Sequence, residues 1–79
     1  MSNPHFESIT LPTAKAVMDA IEDSGRTKKE ISEITGIPYA TLNRKLSAKT
    51  DFSFCELLEL ADALEITPSQ FVPPVFRQT

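Results

Sequence analysis

Apolar residues recur at helical spacing in several separate stretches of this chain, and nowhere do they alternate with polar ones long enough to make a strand. Ala14, Val17, Met18 and Ile21 fall at i, i+3, i+4 and i+7, which predicts a helix from about Pro12 to Ser24 with Asp19, Glu22 and Asp23 in water. Gly25 ends it. Ile31, Ile34 and Thr35 share one face of a second, shorter helix, and Leu42 and Leu46, one turn apart, give a third its inner face. Further on, Phe54, Leu57, Leu58, Ala61 and Leu64 make the buried stripe of a fourth, with Cys55 as a small apolar neighbour and Glu59, Asp62 and Glu65 outside. A short fifth helix is predicted near 68–72, stopped by Pro73-Pro74.

The punctuation between these stretches is as informative as the stretches themselves. Thr27 followed by Glu30 is a capping box, in which each side chain satisfies a free backbone N–H of the other. Gly36 suits the left-handed position after a helix, Ile37 follows as a buried plug, and Pro38 suits the first position of the next helix. Ser53 with Glu56, and Thr67 with Gln70 around Pro68, repeat the capping pattern for the last two helices. Two short helices joined by a tight turn at Gly36 make a helix-turn-helix, whose second helix is shaped to enter a DNA major groove.

These residues resemble a known family. Thr27, Glu30, Ile31, Ser32, Gly36-Ile37 and Thr41-Leu42, with Phe52-Ser-Phe and the run from Glu56 to Phe71 downstream, are similar to the Cro/C1 (Xre-like) helix-turn-helix domains of phage repressors and their bacterial relatives. The resemblance spans roughly residues 12–72. It implies an all-α, compact five-helix lambda-repressor-like DNA-binding domain, with residues 1–11 as an N-terminal arm and 73–79 as a C-terminal tail. Thr35 stands where the family carries an apolar residue, and Ile34 is expected to fill that space; Lys45 stands where the family often has Ile. The resemblance assigns base reading to Tyr39, Ala40, Asn43 and Arg44, and phosphate contact to Lys28. A chain of this length is similar to a phage Cro or a small repressor.

Geometry and chemistry agree with that assignment. With Leu42 and Leu46 turned inward, Ala40, Arg44 and Ser47 lie on the far side, and Tyr39 and Asn43 fall between the two directions. Arg can grip guanine by two hydrogen bonds, Asn can grip adenine, and the Ala methyl can touch a thymine methyl. The Tyr39 ring has an alternative place beside Leu42. Lys29, Thr41, Lys45, Ser47, Lys49 and Thr50 are further phosphate candidates, with an ordinary solvated face as the alternative for Lys45 and Lys49.

Charge changes the picture only through its distribution. The 79 residues are 41% hydrophobic and 24% charged, with a net charge of −3. Residues 26–49 hold six basic residues against Glu30 and Glu33, a balance of +4, while the rest holds Lys15 and Arg77 against nine acids, a balance of −7. A basic face on an acidic body is what a phosphate backbone responds to. The single Cys55 makes no internal disulfide, no apolar run reaches a membrane span and no signal peptide is visible, so a cytoplasmic location is expected. No nucleophile–base pair, metal-ligand cluster or Gly-rich loop is present, and His5 stands far from Cys55. No enzyme activity, cofactor or small-molecule ligand is expected.

The leading expectation is therefore a sequence-specific transcriptional regulator that binds a double-stranded DNA operator. The rival is a protein-interaction module, an antitoxin or polymerase-binding adaptor, presenting the acidic faces of the first and fourth helices. Useful specificity needs two half-sites about 34 Å apart, hence a homodimer on DNA. Phe71, Val72, Val75 and Phe76 around Pro73-Pro74 are the candidate pairing residues, unless they fold back over their own domain; for Phe6 and Ile9 in the arm the alternatives are a loosely tethered tail or packing on the bundle.

Overall fold

The computed structural model describes residues 10–71. Among these the protein is all-helical: α1 (Leu11–Ser24), α2 (Lys28–Thr35), α3 (Tyr39–Leu46), α4 (Phe54–Leu64) and a closing 3₁₀ turn, Pro68–Phe71. The expected fifth helix is this single turn, so the described chain has four α-helices rather than five. α3 packs on α1 and α2, α4 packs on the same two helices, and the closing turn seals the end of α1 and α4.

Both capping boxes of the central helices form. The Glu30 amide donates to Thr27 Oγ1 at 3.1 Å and the Thr27 amide to Glu30 Oε1 at 3.0 Å; Ser53 and Glu56 do the same for α4 at 3.1 and 2.7 Å. Each box satisfies two of the amides that a helix start leaves open. Pro38 sits one place earlier than expected. Its ψ of 140° is extended, so it is the cap of α3 and Tyr39 is the first helical residue.

The turn between α2 and α3 is fixed from both sides. Gly36 has φ 79°, the left-handed region where a Cβ is costly, and its amide donates to Ser32 O at 2.9 Å. Thr35 then explains its departure from the family pattern. Its hydroxyl donates to Ile31 O at 2.8 Å and accepts the Ile37 amide at 3.2 Å, while Ser32 Oγ donates to Ile37 O at 2.6 Å. Both backbone groups of Ile37 are thus held by side chains of α2, and the Ile37 side chain is driven into the core. Ile34 does not fill the Thr35 space: it is 51% exposed.

One cluster forms the core: Val17, Ile21, Ile31, Ile37, Leu42, Leu46, Leu60, Ala61, Leu64 and Phe71, with Met18 and Leu57 packed at its edge. Two expectations are corrected here. On α4 the buried stripe is Leu57, Leu60, Ala61 and Leu64; Phe54 is 72% exposed, Leu58 is partly open, and Cys55 is on the solvent side. Phe71 is among the largest fully buried side chains, so it closes its own core and is not available to a second copy. Val72, Val75 and Phe76, like Phe6 and Ile9, lie outside the described residues.

At Gly36 nothing lies within 4 Å of the place a Cβ would occupy, so the cost of substitution there is backbone strain alone. Gly36→Val is expected to destabilise the domain by about 1–3 kcal/mol, a large share of the stability of a chain this small. Equilibrium denaturation checks it; an unchanged midpoint would mean that the turn relaxes without cost.

Candidate nucleic-acid interface

The site is built on α3, and α3 is held by what it buries. Leu42 is fully enclosed and Leu46 nearly so, which fixes the rotation of the helix about its own axis. That rotation leaves Tyr39, Ala40 and Arg44 exposed, with Asn43 and Thr41 half-buried at the edges and Ser47 exposed just past the end. Tyr39 keeps 49% of its surface open. The four residues assigned to base reading are therefore on one accessible side of one helix. Arg44 and Lys45 lie in its last turn, where positive charge suits the helix dipole.

Around this edge the other basic and hydroxyl residues take different roles. Lys29, Lys49 and Thr50 are exposed. Lys28, at the start of α2, is half-buried and its Nζ lies 3.4 Å from Asn43 Oδ1. This inter-helix contact has no signature in the sequence, because it depends on the angle at which α2 and α3 meet. The Lys45 ammonium pairs with Glu56 at the start of α4, both side chains are largely sheltered, and the pair joins α3 to α4.

The end of α3 is also tightly made. Ala48 adopts φ 60° without being glycine, the Lys49 amide donates to Arg44 O and the Ala48 amide to Lys45 O, each at 3.0 Å. This paired closure orients Ser47 and Lys49 rigidly relative to the helix. Thr10 Oγ1 donates to Asp51 and ties the start of α1 to the linker ahead of α4.

A family model described as a Cro/C1-type helix-turn-helix DNA-binding domain matches residues 19–75, well over half of the chain and all of the elements from α2 to the closing turn. The chain belongs to the Cro/C1-type helix-turn-helix DNA-binding domain family. No curated protein and no solved structure matches it. A Cro/C1-type domain binds double-stranded DNA and is typically not catalytic. Among the described residues no group of three or more His, Cys, Asp or Glu is placed to hold a metal ion, and no helix is long and apolar enough to cross a membrane.

The carboxyl of Glu56 carries a pH dependence for this Cro/C1-type domain. Burial pushes it up, but the Lys45 hydrogen bond, the Ser53 amide and the Lys45 charge together outweigh burial, and it ends below the usual glutamate value. The folded state therefore holds this proton less tightly than the unfolded chain. The resulting stability is complete above the unfolded glutamate value and is lost as pH falls through the folded one. Glu30 is shifted the same way, chiefly by the Thr27 amide. The melting temperature of the wild type is expected to fall more steeply between about pH 5 and pH 3 than that of Glu56→Gln. Parallel melting curves would show Glu56 to be unlinked to folding.

Proposed function

We propose that this domain is a sequence-specific transcriptional regulator of the repressor or Cro type, acting on a double-stranded DNA operator with α3 in the major groove. The observation that carries this reading is the open side of α3: Ala40 and Arg44 exposed opposite a fully buried Leu42, with Tyr39 exposed between the two directions. Arg44 offers guanine two donors, Ala40 offers a thymine methyl an apolar contact, and Tyr39 and Asn43 flank them. Lys29, Thr41, Ser47, Lys49 and Thr50 would meet phosphates, setting position and orientation without selecting sequence. Binding in the cytoplasm, the domain would act by occupying its operator, and a phage Cro-like role is the particular form this reading takes.

The rival reading, a protein-interaction module, draws on Phe54 and Leu58, which are both exposed one turn apart on α4. Selection of binding sites from random DNA, followed by a salt series, separates the two. Specific DNA binding should weaken by about 0.9 log units per log salt for each phosphate neutralised. Arg44→Ala should lose discrimination at one base pair, a guanine, by about 1–3 kcal/mol while other positions keep their preference. Uniform weakening on all sequences would make Arg44 a phosphate contact.

A single α3 spans only a few base pairs, so the reading includes a homodimer on two half-sites one helical turn apart. With Phe71 inside the core, the remaining tail residues Val72, Val75 and Phe76 are the proposed pairing segment. Deleting residues 73–79 leaves Phe71 in place, so the truncated domain should stay folded. It should also sediment as a monomer and lose cooperative binding to a two-fold operator. Cooperative binding that survives the deletion would move the pairing surface elsewhere, to the exposed Phe54–Leu58 side of α4 first.

A further inference from the structure

α1 and α4 end at the same corner of the bundle, where the closing turn packs on both. Ala20, Asp23 and Ser24 of α1, Leu64 and Ile66 from the end of α4, and Gln70 of the turn line an open pocket of about 290 Å³. Ala20, Leu64 and Ile66 give it apolar surface. Asp23 gives it a carboxylate that has no ion pair among the described residues. Neither helix carries a basic residue in its last turn, so the partial negative charge of two helix C-termini adds to that carboxylate. Pockets that enclose a small molecule start at about 300 Å³, so an open one at that limit suits one or two side chains of a peptide. The chemistry it asks for is an apolar side chain with a cation beside it. This chain contains such a segment: Val75 and Phe76 are followed by Arg77. Outside residues 26–49 the only other cation is Lys15, which is paired with Asp19.

We propose that this pocket receives the Val75-Phe76-Arg77 segment of a second copy, with apolar side chains against Ala20, Leu64 and Ile66 and the guanidinium against Asp23. The exchange is reciprocal about a two-fold axis, so the contact occurs twice in each dimer. The proposal rests on pairing through the tail and names the surface that the tail meets. The two prolines decide which copy supplies the segment. Gln70, on the pocket itself, stands only six residues before Phe76. A residue ahead of proline favours extended backbone, and a proline run rises about 3.1 Å per residue. Val72-Pro73-Pro74 thus favours a path away from the pocket, and Phe76 would have to double back at once to enter its own. A second copy requires no such reversal. No residue of α2 or α3 lines the pocket, so the seat uses none of the helix-turn-helix.

The experiment is sedimentation equilibrium on the full chain as wild type, Asp23→Arg, Arg77→Asp and an equimolar mixture of those two variants, beside the deletion of residues 73–79, each with its melting curve. Asp23 is exposed and a cation suits a helix C-terminus, so Asp23→Arg should fold as the wild type does. Each variant alone sets like charges face to face, two arginines or two aspartates. Its dimer dissociation constant should rise by on the order of tenfold, two surface ion pairs being lost and reversed. Mixing allows a heterodimer in which both contacts join opposite charges, and wild-type affinity should return. A mixture as weak as its components overturns the proposal, and so do single variants that pair as tightly as the wild type. Either result leaves tail pairing standing if the deletion is monomeric, and moves the seat of the tail to another surface. A deletion that still pairs, or a wild type that stays monomeric, would instead sink the pairing reading, and this proposal with it.

Discussion

A helix of eight residues does not hold its shape alone in water, and α3 has only that length. What keeps it helical is the burial of Leu42 at its middle and Leu46 at its end, two side chains whose enclosure fixes both the existence of the helix and its rotation. The rest of the domain can be understood as the surroundings those two leucines need. α1 contributes Val17 and Ile21, α2 contributes Ile31, α4 contributes Leu60, Ala61 and Leu64, and Phe71 closes the end. Each of these walls therefore supports α3 as well as the rest of the core.

Rotation alone would leave the direction of α3 loose, and two polar devices fix it. At the start, Ser32 and Thr35 hold the carbonyl and the amide of Ile37, so the turn after Gly36 is clamped to α2 rather than merely permitted by glycine. At the end, the pair of Lys45 and Glu56 binds α3 to the start of α4. The same Glu56 carboxylate closes the capping box with Ser53, so one acid satisfies the beginning of α4 and the end of α3 together. This shared partner makes both attachments depend on the ionised form of one carboxyl, which the Lys45 hydrogen bond and the Ser53 amide hold below the usual glutamate value.

Features set by neighbouring residues were legible in the sequence, and features set by how helices meet were not. The capping boxes at Thr27 and Ser53 and the left-handed Gly36 depend on residues at most three apart, and each formed as spaced. The stripe of α4 was harder because Phe54-Cys-Glu-Leu-Leu-Glu-Leu offers two overlapping apolar faces; packing on α1 and α2 chose the one with Leu60 and left Phe54 outside. Phe71 looked like a surface residue beside two prolines, yet the 3₁₀ turn swings it inward. Ala48 and Glu65 end their helices in the left-handed region without glycine, which no composition signal announces. On α3, the exposure of Arg44 and Ala40 followed from a helical wheel, while the partners of Lys28 and Lys45 lie 15 and 11 residues away on other elements.

Charge adds a last constraint on how such a domain can be specific. Non-specific affinity for DNA grows with the number of phosphates neutralised, and this chain is poor in cations to offer. Its basic block carries +4 within a chain of net charge −3, and Lys45 is already committed to Glu56. Salt screens that block beyond a Debye length of about 8 Å and the acidic body opposes its field at a distance, so attraction is felt mainly at close contact. A domain with few phosphate partners gains little on random DNA and depends on its base contacts for the remainder. Each cation turned from phosphate to an internal task lowers the affinity that all sequences share. What matters in a genome is the ratio of the two affinities, and on that measure a sparse basic face with a rigid α3 is an advantage.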